Sequence, residues 1–320
     1  GDAYLGRVVD GFGNPLDGRG SISTNVHYPL YGQVVNPMGR RRIKEVADVG
    51  VAAINTMMTL GRGQRIGIMS GSGVGKSVLM GMMARHTSVD VSIIALIGER
   101  GREVKDFVEQ TLGKDGLKKS VVVAATSDVS PLVRMRGAYL ATTLAEYFRD
   151  RGLDVLLVMD SITRFAMSSR DVGLAVGEPP TVRGYTPSFF AQLPKLLERA
   201  GSIEGKGSVT GIYTVLVEAD DMNDPVGDAV RSVVDISRVM IDVVDPQDLE
   251  LSQKVKEVVA VYRDAEDLIS IGAYVDGTDP KIDYAKKMIG KINSFLRQDI
   301  VKKVALKPGF DRLRELFKEV

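Results

Sequence analysis

"GIMSGSGVGKSVLMGM" (residues 67–82) joins a short apolar run to a glycine-studded turn, then Lys76 and Ser77, then an apolar stretch at helical spacing. That order is strand, loop, helix. Gly71, Gly73 and Gly75, with Ser72 and Val74 between them, let successive backbone N–H groups curl round an anion. The helix that starts at the end of the loop adds the positive end of its dipole. The pattern is that of a P-loop, except that Ser70 stands where the first glycine is usual. Lys76 is expected to reach the β- and γ-oxygens of a nucleotide and Ser77 to hold Mg²⁺. The bland alternative is a glycine-rich turn with a solvated lysine, and the order of the flanking elements speaks against it.

Outward from this loop, short apolar runs alternate with helix-like stretches. The runs are "RIGIM" (65–69), "VSIIALIG" (91–98), "SVVVAAT" (120–126), "DVLLVMD" (154–160) and "GIYTVLVEAD" (211–220). Continuous rather than alternating apolar runs imply strands covered on both faces, hence an α/β fold with a mostly parallel sheet of βαβ units. The longest helical stretch, residues 130–152, opens Ser-Pro and closes on Gly. Residues 1–50, rich in Gly, Pro and Asn, read as an irregular lead-in outside the core. After Pro246 the strand-like runs fade, and residues 248–272 and 280–300 read as amphipathic helices. The expected division is 1–245 for the α/β domain and 246–320 for a small helical domain.

Composition narrows the classes. The 320 residues carry a net charge of +1, which gives no electrostatic case for nucleic acid or an acidic membrane. With no cysteine there are no disulfides and no thiolate metal sites, as suits a reducing cytosol. No apolar run approaches the roughly 18 residues of a membrane span, and no signal peptide is visible. A first residue of Gly rather than Met reads as an excised fragment.

A P-loop needs a second acid for its metal. Asp160 ends an apolar strand on the edge where parallel sheets bind ligands, and Ser161 and Arg164 follow it in "DSITR". Hydrolysis also needs a group to orient water. Glu99 closes a third strand in "ALIGERGRE", and a carboxylate there would face the γ-phosphate. The alternative is a solvated, salt-bridged loop, the preferred reading for Arg102.

"SGSGVGKS", "GERGREV", "LLVMDSITRFA", "GEPPTVRGYTPS", "LPKLLERAG" and "EADDMNDP" occur in that order. Together they resemble the ATPase of type III protein export, a family akin to the catalytic beta subunit of rotary ATP synthases. The stretch 144–180 resembles the flagellar branch more than the injectisome branch. The resemblance covers nearly the whole chain. It implies a RecA-like P-loop core, a helical C-terminal domain, and a preceding β-barrel that is absent from this sequence. It implies ATP and Mg²⁺ as ligands, and a hexameric ring in the full-length protein with this fragment monomeric or weakly associated. Implied partners are a central stalk, the export gate, a regulatory stator-like protein and complexes of export substrates with chaperones. The implied location is cytoplasmic, against the inner face of the membrane. The motif match makes Glu99 the catalytic glutamate and Asp160 the metal-holding acid, with supporting roles for Arg100 and Arg164 beside the phosphates.

In this family an arginine crosses the subunit boundary to the transferring phosphoryl group. "ISRVM" matches that segment and makes Arg238 the finger, against the bland reading of an arginine paired within its own chain. Between Asp235 and Ile236 the family carries a Gly-His strand, a Leu-Ser-Arg turn and a Tyr-Pro turn that are missing here. The adenine-contacting tyrosine is thus unassigned. Residues 177–187 are expected to be irregular and, by resemblance, to line the central hole of the ring, while residues 218–225 approach the stalk; an ordinary surface turn is the alternative for both. Competing functions are a subunit of a rotary or vacuolar-type ATPase, disfavoured by "GERGREV" and "LPKLLERAG", and a hexameric nucleic-acid translocase, disfavoured by the near-zero charge. A non-catalytic nucleotide-binding subunit is disfavoured by Glu99.

Overall fold

The computed structural model describes all residues except Ser72, 218–220, 222–223, 236–238 and 319–320. Six parallel strands form its sheet: β1 (Val8–Val9), β2 (Arg65–Ser70), β3 (Val91–Ile97), β4 (Ser120–Ala125), β5 (Asp154–Asp160) and β7 (Ser208–Leu216), in the order β1-β4-β3-β5-β7-β2. A short β6 (Gly201–Ser202) pairs antiparallel with β7. The apolar runs are continuous because both faces are covered. Ile93, Ala95 and Ile97 of β3 enter one core, and Ile94 and Leu96 enter the other. Likewise Val155, Leu157 and Met159 of β5 face one way, and Leu156 and Val158 the other.

The second of these faces carries α1 (Ala52–Met57), α2 (Lys76–His86), α3 (Gly101–Asp106) and α4 (Gly113–Lys118), the last two bridged by a π-helical turn at Phe107–Leu112. The first carries α5 (Pro131–Asp150), α6 (Ile162–Ala175), α7 (Pro187–Leu197) and α8 (Pro225–Arg231). A short α9 (Val239–Val243) then leads to α10 (Pro246–Ser270), α11 (Pro280–Leu296) and α12 (Leu306–Lys318). Five helices start with Pro, whose missing N–H costs nothing in the first turn. Asp224, Asp245 and Asp279 cap three of them by accepting from the amides of Gly227, Gln247 and Lys281. The last three helices build their own core of Val255, Val258, Met288, Ile292, Phe295 and Leu313, which Ala52 of α1 and Met240 of α9 also enter.

The structure corrects two expectations. The lead-in is not outside the core: Val8 and Val9 join the sheet beside β4, and Val9 is fully buried. An ion pair between Arg7 and Asp17 closes the loop that holds them there. The helical region also has a third member, α12, hidden in the sequence by "LKPGF"; Pro308 sits in the first turn, where it is tolerated. Residues 177–186 hold a 3₁₀ turn at Val182–Gly184 and are otherwise irregular, as expected, and Pro187 already opens α7. Most of "EADDMNDP" lies outside the described residues.

Hydrogen bonds fix the helical region to α1, α2 and the loop before α1. Asp48 accepts from the Leu306 amide and from Asn55 Nδ2, while Asn55 Nδ2 also donates to the Val304 carbonyl. At the far end of α2, His86 Nε2 lies 3.0 Å from the Ile300 carbonyl oxygen.

Candidate active site

The carboxyl ends of β2, β3, β5 and β7 open on one edge of the sheet, and the sequence-chosen residues collect there. β2 ends at Ser70, and the chain turns through Gly73 (φ 79°) and Gly75 (φ 89°) before α2. These left-handed conformations favour glycine, which lacks the Cβ that strains other residues there. Gly75 caps α2, and no side chain there hydrogen-bonds the first-turn amides. Val74 is exposed at the crest of the loop. Ser72 lies outside the described residues.

Asp160, the last residue of β5, is 1% exposed. Three groups meet its carboxylate: Lys76 Nζ at 3.2 Å from Oδ1, Ser77 Oγ donating to Oδ2 at 3.3 Å, and Thr214 Oγ1 donating to Oδ1 at 2.7 Å. A carboxylate taken out of water this far needs such partners to stay charged. Ser161 then caps α6 by accepting from the Arg164 amide, which fixes where Arg164 starts.

Glu99 follows Gly98, whose φ of 73° turns the chain off β3. Arg164 packs so closely on Gly98 that an added Cβ would lie 2.8 Å from the arginine's Cβ and Cγ, so only glycine fits. The Glu99 carbonyl accepts from the Ser127 amide, which ties this corner to the loop after β4. Burial pushes the Glu99 carboxyl up to about 7, helped by a hydrogen bond with Glu103 and repulsion from Asp160, with Lys76 opposing. A carboxyl so placed changes charge near neutral pH, which suits proton transfer.

The loop glycines, Lys76, Ser77, Glu99, Arg100 and Arg164 surround one cavity of about 390 Å³. Arg100 stands at its mouth, mostly exposed and 3.7 Å from Glu103. Arg164 is deeper, with Nε buried and without a hydrogen-bond partner. Beside Glu99 a smaller cavity of about 210 Å³ is lined by Leu96, Val104 and Phe107 on one hand and by Ser77, Glu103 and Asp160 on the other. Arg102 makes only an exposed contact with Asp106, in keeping with its structural reading. Arg238 lies outside the described residues.

The Ser77 hydroxyl and the Asp160 carboxylate are hard oxygen donors, and they suit Mg²⁺. Among the described residues there is no group of three or more His, Cys, Asp or Glu able to hold a metal. A metal bound by one carboxylate and one hydroxyl must complete its shell with phosphate oxygens and water, as Mg²⁺ does in nucleotide sites. Sequence reading missed Thr214 and the pairing of Glu103 with Glu99. Glu103 lies in the first turn of α3, just past the corner that holds Glu99, and Thr214 reaches Asp160 because β7 lies beside β5; both depend on the fold rather than on a local pattern.

The profile of the ATP synthase alpha/beta family, nucleotide-binding domain, matches residues 50–244, and that of the T3SS EscN ATPase C-terminal domain matches residues 244–315. The flagellum-specific ATP synthase of Pseudomonas aeruginosa is 47% identical over 340 residues, covering 99% of this chain and 75% of that protein. That alignment is longer than the chain's 320 residues, so the relative carries residues with no counterpart here. The type 3 secretion system ATPase of Xanthomonas euvesicatoria is 48% identical over 321 residues, covering 93% of this chain and 72% of that protein. Among solved structures, the assembled ATPase EscN of the enteropathogenic E. coli type III secretion system superposes with a TM-score of 0.91 at 43% identity, covering 99% of this chain and 82% of that one. EscN in complex with its central stalk EscO gives a TM-score of 0.87 at 42% identity, with the same coverage. A P-loop, a buried acid at the end of β5 and a half-buried glutamate after β3 thus sit in a fold shared with these enzymes, and the chain belongs to the ATP synthase alpha/beta family, among its flagellar and type III secretion ATPases.

Proposed function

We propose that this chain hydrolyses ATP with Mg²⁺ to energise protein export through a flagellar or type III secretion apparatus, acting in a hexameric ring. The observation that carries the reading is the meeting of Lys76, Ser77, Asp160 and Glu99 at the carboxyl edge of the sheet, where two cavities share Ser77 and Glu99 in their walls.

The backbone of residues 71–77 holds the phosphates, and Lys76 turns from Asp160 toward the β- and γ-oxygens. Ser77 and Asp160 hold Mg²⁺, which when bound neutralises charge on the phosphate oxygens. Glu99 orients the attacking water and accepts its proton, its raised pKa matching that task. Arg164 and Arg100 face the phosphates from within the chain, and Arg238 of a neighbouring subunit completes the charge stabilisation.

The working units are residues 1–245 and 246–320. The assembled EscN and its complex with EscO support a ring round a central stalk, in which the loop at 177–187 lines the central hole and the loop at 218–225 approaches the stalk. The export gate, a regulatory stator-like protein and substrate–chaperone complexes are the further partners, with no nucleic acid among them. No described helix is long and apolar enough to cross a membrane, and the ring works in the cytoplasm against the inner face of the membrane.

ATPase rate measured against protein concentration tests this reading. Specific activity should rise with concentration as sites are completed between subunits. A flat profile from single subunits to rings would overturn the shared site.

A further inference from the structure

We infer that Thr214 is the positioning residue of the metal-holding acid: its hydroxyl keeps Asp160 in place when Lys76 leaves it for the phosphates. The inference rests on the reading that Asp160 and Ser77 hold Mg²⁺.

Strands β5 and β7 run parallel with Met159 opposite Tyr213, which sets Thr214 beside Asp160 on the face that carries α2. Thr214 is fully buried and Asp160 nearly so. The neighbouring residues of β7, Ile212, Tyr213 and Val215, are buried hydrophobic side chains, and a valine would fill the place of Thr214 with the same shape. What a valine lacks is the hydroxyl, and that hydroxyl donates to Asp160 Oδ1 at 2.7 Å. This is the short range of a hydrogen bond to a charged acceptor. The same hydroxyl lies 3.3 Å from the Met159 carbonyl oxygen, a longer contact for its one proton.

The three groups on Asp160 differ in what nucleotide binding asks of them. Lys76, 3.2 Å from Oδ1, is drawn to the phosphates. Ser77, 3.3 Å from Oδ2, turns its oxygen to the metal. Thr214 is fully buried on β7, away from the loop, so it alone keeps its bond through binding. Holding Oδ1, it directs Oδ2 to the side where Ser77 stands. Without it, the loss of Lys76 would leave Oδ1 buried with no donor, and the carboxylate would turn or keep the lysine.

The test uses the 320-residue chain, a fluorescent ATP analogue, and binding measured in chelator and across a Mg²⁺ titration. Thr214→Val should bind the analogue in chelator within about twofold of the parent, yet need about tenfold more Mg²⁺ to reach tight binding, the scale of one hydrogen bond to a charged group. Thr214→Ser, which keeps the hydroxyl, should return the Mg²⁺ requirement to within about threefold. Thr214→Ala is run beside the valine variant, so that a folding defect in one leaves the comparison standing. An unchanged Mg²⁺ requirement in both hydroxyl-free variants overturns the inference, as does an equal loss with and without Mg²⁺. Asp160→Asn separates the two levels. If it abolishes the Mg²⁺ effect while Thr214→Val and Thr214→Ala leave the Mg²⁺ requirement unchanged, only the role of Thr214 falls; if it too leaves the effect unchanged, the metal reading falls with it.

Discussion

Lys76 and Asp160 form an ion pair at 3.2 Å in which the lysine side chain is 8% exposed and the aspartate 1%. The pair joins the first residue of α2 to the last residue of β5, so charge holds the phosphate loop to an acid two strands away in the sheet. Lys76→Met should therefore act twice. It removes a phosphate ligand and leaves a buried carboxylate short of its cation. Nucleotide affinity should fall by about 100-fold or more, and stability by about 3 kcal/mol. Calorimetric titration and urea unfolding measure the two losses; full stability in the variant would show that Asp160 is sufficiently satisfied by Ser77 and Thr214.

Glu99→Gln should keep nucleotide affinity within a few-fold and lower single-turnover hydrolysis by about 10²–10⁴-fold, the usual worth of a general base. The pH profile follows from the raised pKa. In the free site the carboxyl is protonated below about 7 and becomes a base above it, so kcat/KM should climb through that value. Stability runs the other way. A carboxyl whose pKa is raised by folding contributes fully below its unfolded value and loses that contribution as pH rises through about 7. Glu99→Gln should accordingly gain stability relative to the parent between about pH 5 and pH 8. A stability difference that stays constant across that range would place Glu99 in a solvated position.

Arg238→Ala should leave nucleotide binding by single chains intact and reduce ring turnover by about 10³-fold or more, the scale of a supplied arginine. Mixing decides whether the arginine acts between subunits. Rings assembled from Arg238→Ala and Glu99→Gln chains contain some interfaces with an intact glutamate on one side and an intact arginine on the other. Activity in the mixture, with neither variant active alone, is the expected result, and silence at all ratios would assign Arg238 to its own chain.

Arg199 is a test of architecture. Its guanidinium, 1% exposed, donates to Glu146 on α5, to Thr143 and to the Leu30 carbonyl, and so pins the lead-in to the sheet's helical layer. Arg199→Met should cost about 3–5 kcal/mol, because the Glu146 carboxylate is left buried and unpaired. The same variant should be cut by protease within residues 20–34 under conditions where the parent is resistant.

Much of this protein was legible in its sequence because the signals are local. Glycines at 71, 73 and 75 before Lys76 and Ser77 specify a turn that only such residues tolerate, and five continuous apolar runs specify strands covered on both sides. Asp160 and Glu99 could be chosen because each ends such a run, and parallel strands end on the same edge. The lead-in was less legible. Two valines among turn residues carry no period, and their place beside β4 is set by contacts with residues more than a hundred positions away. Helix α12 was masked by Pro308 and Gly309, whose local disfavour for helix is outweighed by the burial of Phe310 and Leu313.

The sequence by itself determined the kind of fold, the phosphate loop, and the two acids on which the proposed chemistry depends. Only the tertiary structure decided what surrounds those acids. Strand order brings Thr214 to Asp160, packing sets Arg164 against Gly98, and burial with Glu103 and Asp160 close by lifts the Glu99 carboxyl toward neutral pH. The reason is one of range. A turn or a covered strand is written in neighbouring residues, whereas a pKa or the orientation of a carboxylate depends on groups that only the folded sheet brings together.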